Sequence, residues 1–185
     1  MQLVGLESCY AGNPLPKGVN DTGAIDLMKA FTPIKQPYQG GITFNFSNPT
    51  SNKFYREGEA DPFFSMRDMT SGSKEITWNV SDFDEETLAF YFGTTEPQSG
   101  KLYEGEKAFV FVTKSGSSIA FARLKYTAIL GGSLNSSDPL QIQVTADVLA
   151  PENGGVAWWP ITTPDFAAKT TLSATKAPKV TTTSL

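Results

Sequence analysis

Three successive β-type segments in the last third of this 185-residue chain constrain its fold most strongly. Residues 106–114 alternate Phe with Val, so both faces are apolar, as in a strand that is covered on both sides. Residues 118–130 are long for a strand. Residues 139–150 place an apolar side chain at every second position. Because Gly- and Ser-rich turns separate these segments, they predict a long antiparallel hairpin.

Two earlier segments, residues 42–46 and 74–80, also alternate apolar and polar side chains. This period of two indicates half-buried strands. Residues 25–34 are compatible with a further strand, which Pro33 would confine to a sheet edge because proline cannot donate to a ladder. The sequence therefore predicts a mostly β fold, specifically an antiparallel β-sandwich or partial barrel.

One short flanking α-helix is predicted in the middle of the chain. Asp84 is a suitable N-cap, and the acidic residues that follow it favour the positive end of the helix dipole. Leu88, Tyr91 and Phe92 share one face, and Gly93 supplies the stop. Two turns are too short to be stable alone in water, so this aromatic face is expected to pack on the edge of a sheet or sandwich.

Residues 49–73 have no regular pattern and predict a long loop, which is uncommon inside a compact domain and often functional. The loop contains Phe63, Phe64, Met66 and Met69, which a solvated loop rarely exposes together. Two interpretations stay open. The loop either folds back on its own core or docks on a neighbouring subunit, and the second makes these four residues candidates for a subunit interface.

The two ends differ in composition from the rest, which suggests an N-terminal arm at 1–20, a β domain at 21–150 and a C-terminal extension at 151–185. Trp158 and Trp159 lie in the extension. Such a pair is most often a buried anchor or an interface hot spot, and both residues are candidates for the subunit interface. The alternative is a platform for sugar stacking.

Composition excludes several classes of function. A net charge of −4 and a pI near 4.9 argue against a broad cationic surface for phosphates. The chain has no His, and a lone Cys9 makes neither an internal disulfide nor a zinc site. The start of the sequence lacks the features of a signal peptide, and no apolar stretch approaches the ~18 residues of a membrane span. We expect a soluble chain without a membrane partner, made inside the cell.

Acidic clusters are the remaining candidates for chemistry. The cluster at 82–86 is explained by the start of the helix. Glu57, Glu59 and Asp61 alternate and would share a face on an extended segment, but their spacing does not match a calcium loop, and a solvated charged face is favoured. A glycosidase pair of carboxylates has no support from spacing. The sequence therefore predicts no enzyme, no cofactor and no metal site.

The stretch "EITWNVSDFDEETLAFYFG" resembles the strand–helix element of the tail tube proteins, or major tail proteins, of long-tailed phages. The hairpin at 118–149 resembles that family's paired strands, and "GGITFNFSNPT" with the long loop occurs in matching order. The resemblance covers roughly residues 40–149. It implies a β-sandwich that forms hexameric rings, which stack into a hollow tube. Such a tube closes its sheet edges into a continuous inner barrel.

The resemblance also implies partners and a location. The partners are other copies of the chain, the tape measure protein, the tail terminator and distal tail or baseplate proteins, and the location is the virion, after assembly in the host cytoplasm. Genomic DNA would pass through without specific binding, because an acidic wall repels it. We therefore expect Arg123 and Lys125 to lie in ion pairs or away from the lumen. The alternatives are a carbohydrate-binding β-sandwich of a fibre or baseplate, and a hydrolase.

Overall fold

A computed structural model describes residues 5–38, 41–47, 51–54, 57, 64–67, 73–98, 100–131 and 139–166. Its elements are β1 (Leu6–Gly12), α1 (Ala24–Lys29), β2 (Thr32–Ile34), β3 (Ile42–Phe46), β4 (Ser51–Phe54), β5 (Phe64–Arg67), β6 (Lys74–Val80), α2 (Glu85–Phe92), β7 (Tyr103–Thr113), β8 (Ser117–Gly131), β9 (Gln141–Val148) and β10 (Trp158–Thr162). Among these described residues, neither helix is long and apolar enough to cross a membrane.

Eight strands form one antiparallel sheet in the order β2-β1-β7-β8-β9-β6-β3, and β10 also pairs with β8. The sheet curls over one of its own faces without closing, so strand β3 comes to lie above β8, three strands away in the sheet. Phe44 of β3 stacks on Phe121 of β8, with ring centroids 6.2 Å apart. The predicted mostly β, antiparallel fold is confirmed, as is the long hairpin that β8 and β9 make.

The inner face of the curl holds the larger core. Trp78 of β6 packs edge-on against Phe109 and Phe111 of β7, at 5.5 and 6.0 Å between ring centroids. Alternate residues of β6, β8 and β9 complete this inner core and are buried. The predicted alternation of β6 and β9 is therefore confirmed. Strand β7 is buried on both faces, also as predicted, because Val110 and Val112 face a second, outer core.

A bulge interrupts β8 between the part that pairs with β10 and the part that pairs with β9. Lys107 of β7 lies opposite Leu124, but Phe109 lies opposite Phe121. Ala108 alone therefore faces two residues of β8, Ala122 and Arg123, which is the two-against-one count of a β-bulge. Before the bulge the outer face of β8 is apolar, and after it the outer face is polar. Because of the extra residue, the outer face of β8 changes from apolar to polar while the inner-core residues on both sides of the bulge still point inward.

The outer core corrects the predicted N-terminal arm. Residues 6–12 form β1, which pairs with both β2 and β7, and Cys9 and Ala11 are buried in the inner core. The loop that follows covers the outer face of β7 and β8, where Leu15 and Val19 are buried. These residues pack because the outer face of β7 would otherwise expose apolar strand surface to water. The segment is part of the domain.

Helix α1 is a second correction, since a strand was expected over residues 25–34. Ala24 and Met28, four residues apart, are both buried in the outer core, and Lys29 pairs with Asp26 at 2.7 Å. This spacing is helical. The end of the segment, β2, is a strand, and Pro33 lies on it at the sheet edge as predicted.

Helix α2 has the predicted caps. The Asp84 carboxylate accepts a hydrogen bond from the Thr87 amide at 2.8 Å, and Gly93 takes the left-handed conformation at φ 66°. Tyr91 and Phe92 are buried in the inner core, whereas Leu88 is half-buried. The helix lies against β7 and β8, and the Tyr126 hydroxyl donates to the Phe90 carbonyl oxygen at 3.0 Å. The aromatic face is therefore fixed at the rim of the curl.

The region predicted as an irregular loop, residues 49–73, contains two short strands. β4 and β5 pair with each other in a separate two-stranded antiparallel sheet, inserted between β3 and β6. The expectation of an unpatterned loop is thus wrong for residues 51–54 and 64–67. Cross-strand pairing satisfies backbone groups that a loop of this length would otherwise leave to water.

The predicted C-terminal extension also enters the sheet. Strand β10 pairs with residues 117–121 of β8, whereas β9 pairs with residues 124–131 of the same strand. Beyond β10, the Phe166 ring stacks on Tyr10 of β1 with centroids 3.7 Å apart. Residues 158–166 therefore belong to the domain, and residues 167–185 lie outside the described part of the chain.

Candidate functional site

The outer surface of the curled sheet carries one continuous polar area, here called the polar face. It extends over five neighbouring strands, β3, β6, β9, β8 and β7, and its side chains alternate with those of the inner core. Register places them in rows across the strands. The polar face consists of Thr43, Asn45, Glu75, Thr77, Asn79, Glu104, Glu106, Arg123, Lys125, Thr127, Gln143, Thr145 and Asp147, with Ile129 as an apolar member.

Both cations of the polar face lie beside carboxylates. The Arg123 guanidinium donates to Glu106, and its second nitrogen lies 3.8 Å from Glu152. The Lys125 ammonium lies 3.3 Å from Glu104. The hydrogen bond that Arg123 donates to Glu106 raises the pKa of Arg123 above its ordinary value, so this side chain stays charged. The expectation that Arg123 and Lys125 lie in ion pairs is confirmed.

Carboxylates outnumber cations on the polar face, four to two among the described residues. Asp147 lies opposite Lys125 on one side and Glu75 on the other, so the row continues across three strands. The amide nitrogen of Asn45 donates to Glu75 at 3.2 Å. The remaining members are hydroxyls and amides apart from Ile129. The surface is therefore hydrophilic, net negative and without an unpaired cation in its described part.

The structure separates the two tryptophans that were candidates for a single site. Neighbouring residues of a strand point to opposite faces. Trp158 is half-buried in the inner core against Phe46 and Phe121, at 5.1 and 6.1 Å between centroids, whereas the side chain of Trp159 is 59% exposed on the other face. Trp158 is an anchor, one of the roles expected for it. The pair does not form one sugar-stacking platform.

The predicted loop residues are only partly within the described chain. Phe64 and Met66 lie on β5, opposite Phe54 and Asn52 of β4. Phe63 and Met69 lie outside the described residues, as do Glu59 and Asp61. That these residues form a subunit interface stays a prediction. The two that are described, Phe64 and Met66, lie on a two-stranded sheet separate from the main sheet.

Buried groups that titrate are held in the core. Burial raises the pKa of the Cys9 thiol to about 12 and also raises the pKa of Tyr91 and Tyr126 above the ordinary tyrosine value. All three groups are therefore protonated at neutral pH. In the described residues, no group of three His, Cys, Asp or Glu side chains is placed to hold a metal ion.

Sequence reasoning identified the cations of the polar face but missed their partners. Glu104 and Glu106 precede the apolar part of β7, and their alternation with Tyr103 and Gly105 is a usable signal of a two-faced strand. Their position opposite β8 was not predictable, because the bulge shifts the register between the two strands. Comparison with known proteins gives no further lead: no protein-family model and no curated protein matches this chain.

Proposed function

We propose that this chain is a structural, non-catalytic subunit of a phage tail tube. In this proposal six copies form a ring, the rings stack into a hollow tube, and the polar face lines the lumen through which genomic DNA passes during ejection. The tube is assembled in the host cytoplasm and becomes part of the virion. Its further partners are the tape measure, tail terminator and distal tail or baseplate proteins.

The polar face carries this proposal. A conduit for DNA needs a wall that is hydrophilic but offers no phosphate-binding groups, because each phosphate contact releases counterions and strengthens attachment. Arg123 and Lys125 are the two groups on the polar face that would bind phosphate, and each lies beside a glutamate. The excess of carboxylates then repels the DNA backbone.

The unclosed sheet gives the proposal a route to assembly. Within the described residues, β3 pairs only with β6 and so ends the sheet with one free edge. An exposed edge is a template for pairing with another chain, and barrel closure removes it. The β4–β5 hairpin supplies a second contact, and we assign Phe63, Phe64, Met66 and Met69 to the surface that meets the next ring, with Trp159 exposed for a lateral or stacking contact.

Electron microscopy of the purified chain tests this function. We expect rings or tubes of uniform width, formed alone or after addition of a distal tail component. The Phe64→Ser/Met66→Ser variant should remain folded by circular dichroism but fail to stack. A chain that stays monomeric under all conditions and binds glycans would instead favour the carbohydrate-binding module.

A further inference from the structure

An exposed turn between β9 and β10 contains the only Asn-Gly pair of the sequence, Asn153 and Gly154. The Gly154 amide donates to the Pro151 carbonyl oxygen at 3.3 Å, which is long for a backbone hydrogen bond. The side chain of Asn153 is exposed and makes no hydrogen bond within the described part of the chain. Exposed turns with few contacts open locally at a low free-energy cost. Water and base therefore reach both residues of the pair.

The Asn-Gly pair is open to attack by its own backbone. Glycine has no side chain, so its amide nitrogen can approach the Cγ atom of the preceding asparagine without a steric barrier. Loss of the amide proton frees the lone pair of the Gly154 nitrogen for attack on Cγ of Asn153. The new C–N bond closes a cyclic imide, and the bond from Cγ to the side-chain nitrogen breaks. That nitrogen leaves as ammonia with the proton, and no oxidant or reductant takes part.

Water then opens the imide at either of its carbonyl carbons. Addition at Cγ breaks the bond from Cγ to the Gly154 nitrogen and gives aspartate. Addition at the main-chain carbonyl carbon breaks the original peptide bond and gives isoaspartate, whose backbone runs through the former side chain and is longer by a methylene. Both routes consume water and release ammonia. Each product carries a new carboxylate beside Glu152, whose own carboxylate lies 3.8 Å from the Arg123 guanidinium.

The same turn fastens the loop that follows β1 and covers the outer core. On one side of the Asn-Gly pair, the Asn153 amide donates to the Pro16 carbonyl oxygen at 2.8 Å. On the other side, the Val19 amide donates to the Val156 carbonyl oxygen at 2.9 Å, and the Val156 amide donates to Asn20 Oδ1 at 3.1 Å. The backbone between these two attachments therefore has a fixed length.

We propose that Asn153 is a site of spontaneous deamidation, and that its isoaspartate product loosens the loop over the outer core. Between the two attachments, Gly155 lies so close to the loop that a Cβ there would come within 2.2 Å of the Lys17 carbonyl oxygen. The longer backbone of isoaspartate has no room there and displaces one of the attachments. Leu15 and Val19, which the loop buries in the outer core, then become more accessible. The inference does not depend on the proposed function.

Incubation of the folded, full-length chain in a slightly alkaline buffer tests the site, because the reaction needs a deprotonated Gly154 amide. Peptide mass spectrometry should show the mass gain of an exchange of –NH2 for –OH at Asn153 before any other asparagine changes. Asn153→Gln is the matched control, since its longer side chain closes a larger ring far more slowly. An unmodified Asn153 in the folded chain, under conditions that modify it in the urea-unfolded chain, would overturn the proposal, because the folded turn would then protect the amide.

Hydrogen exchange tests the consequence for the loop. After incubation, the native chain should exchange the Val19 amide faster than the fresh chain does, while the amides of β9 stay unchanged. The Asn153→Gln chain incubated in parallel should keep the exchange rate of the fresh chain at Val19. A chain that contains isoaspartate at 153 but exchanges Val19 at the original rate would contradict the loosening of the loop.

Discussion

At the scale of single residues, the buried pair Trp78 and Tyr91 shows how the helix is fixed to the sheet. The indole nitrogen of Trp78 donates to the Tyr91 hydroxyl at 3.1 Å, and both side chains lie in the inner core. If one of the two polar groups were removed, the other would stay buried without a hydrogen bond to protein or water, and this would cost free energy. The pair therefore specifies where α2 docks as well as stabilising it.

Replacing Tyr91 by Phe should lower the free energy of unfolding by about 1–3 kcal/mol, since the indole N–H of Trp78 would lose its partner. Tyr103→Phe is the matched control. Its hydroxyl accepts from the Gln98 amide at 3.0 Å at the surface, where water replaces the bond. Urea unfolding measures both variants. Equal losses for the two variants would contradict the importance of burial.

The N-cap of α2 predicts a pH dependence. Burial raises the pKa of Asp84, but hydrogen bonds from Thr87 and Lys35 outweigh this effect and hold it below the ordinary carboxyl value. A lowered pKa means that the charged form stabilises the folded state above the unfolded pKa, and that this contribution is lost as pH falls through the folded value. Asp84→Asn keeps the cap but removes the charge.

The Asp84→Asn variant should therefore be less stable than the native chain at pH 7, by about 0.3–1 kcal/mol from the lost helix-dipole and ion-pair terms. The difference should shrink toward zero as pH falls below about 4, the ordinary carboxyl range. Urea unfolding at pH 7 and pH 3 provides the measurement. Asp82→Asn, which removes a carboxylate next to the cap without breaking it, is the control, and an equal pH response in that variant would contradict the assignment.

At the scale of elements, α2 is stabilised unevenly along its apolar face. Phe92 is 6% exposed, so Phe92→Ala should cost about 3–5 kcal/mol. Leu88 is only half-buried, and Leu88→Ala should cost less than the ~2–5 kcal/mol typical of fully buried sites. Thermal and urea unfolding rank the two variants. The opposite order would mean that the helix docks through its first turn.

The elements that the sequence predicted well are those with a strong local signal. Strands β6 and β9 alternate apolar with polar residues, β7 and β8 are long apolar-rich runs, and α2 has both a cap and a stop. Strand β1 was missed because its buried positions are the small Cys9 and Ala11, which produce a weak pattern between turn-forming residues. Helix α1 has only six residues, too few to show a helical period. Burial decides the structure of both elements, in the inner core for β1 and in the outer core for α1.

At the scale of the whole molecule, the charges of the polar face determine how an assembled wall would meet DNA. That Arg123 and Lys125 would be paired followed from the expected function. Which carboxylates pair with them did not follow, since the cross-strand register depends on the bulge in β8. Pairing also depends on side chains from β7 and from the 149–157 segment, which lie far apart in the sequence.

Glu104→Gln combined with Glu106→Gln should turn the polar face into a DNA-binding surface, because Arg123 and Lys125 lose their nearest carboxylates. If the chain forms the proposed tube, we expect assembled variant tubes to retard duplex DNA in gels at ~50 mM salt and to release it as salt rises, while native tubes should not bind DNA. Glu85→Gln with Glu96→Gln removes equal charge outside the polar face and should not bind. Binding by both variants would show that net charge matters more than local pairing.

The bulge in β8 has a consequence for how the chain can vary in length. Successive side chains on a strand point to opposite faces. Because of the extra residue at Ala122–Arg123, odd-numbered residues of β8 point into the inner core before the bulge and even-numbered residues do so after it. Deleting one residue there would restore a single phase and turn either Phe121 or Leu124 outward with all its strand neighbours. Strand β8 is thus intolerant of length change. The segment 149–157 begins and ends beside the same bulge, where the Leu149 amide donates to the Arg123 carbonyl oxygen and the Ala122 amide donates to the Ala157 carbonyl oxygen. This segment can therefore vary in length without changing which side chains of β8 face the core.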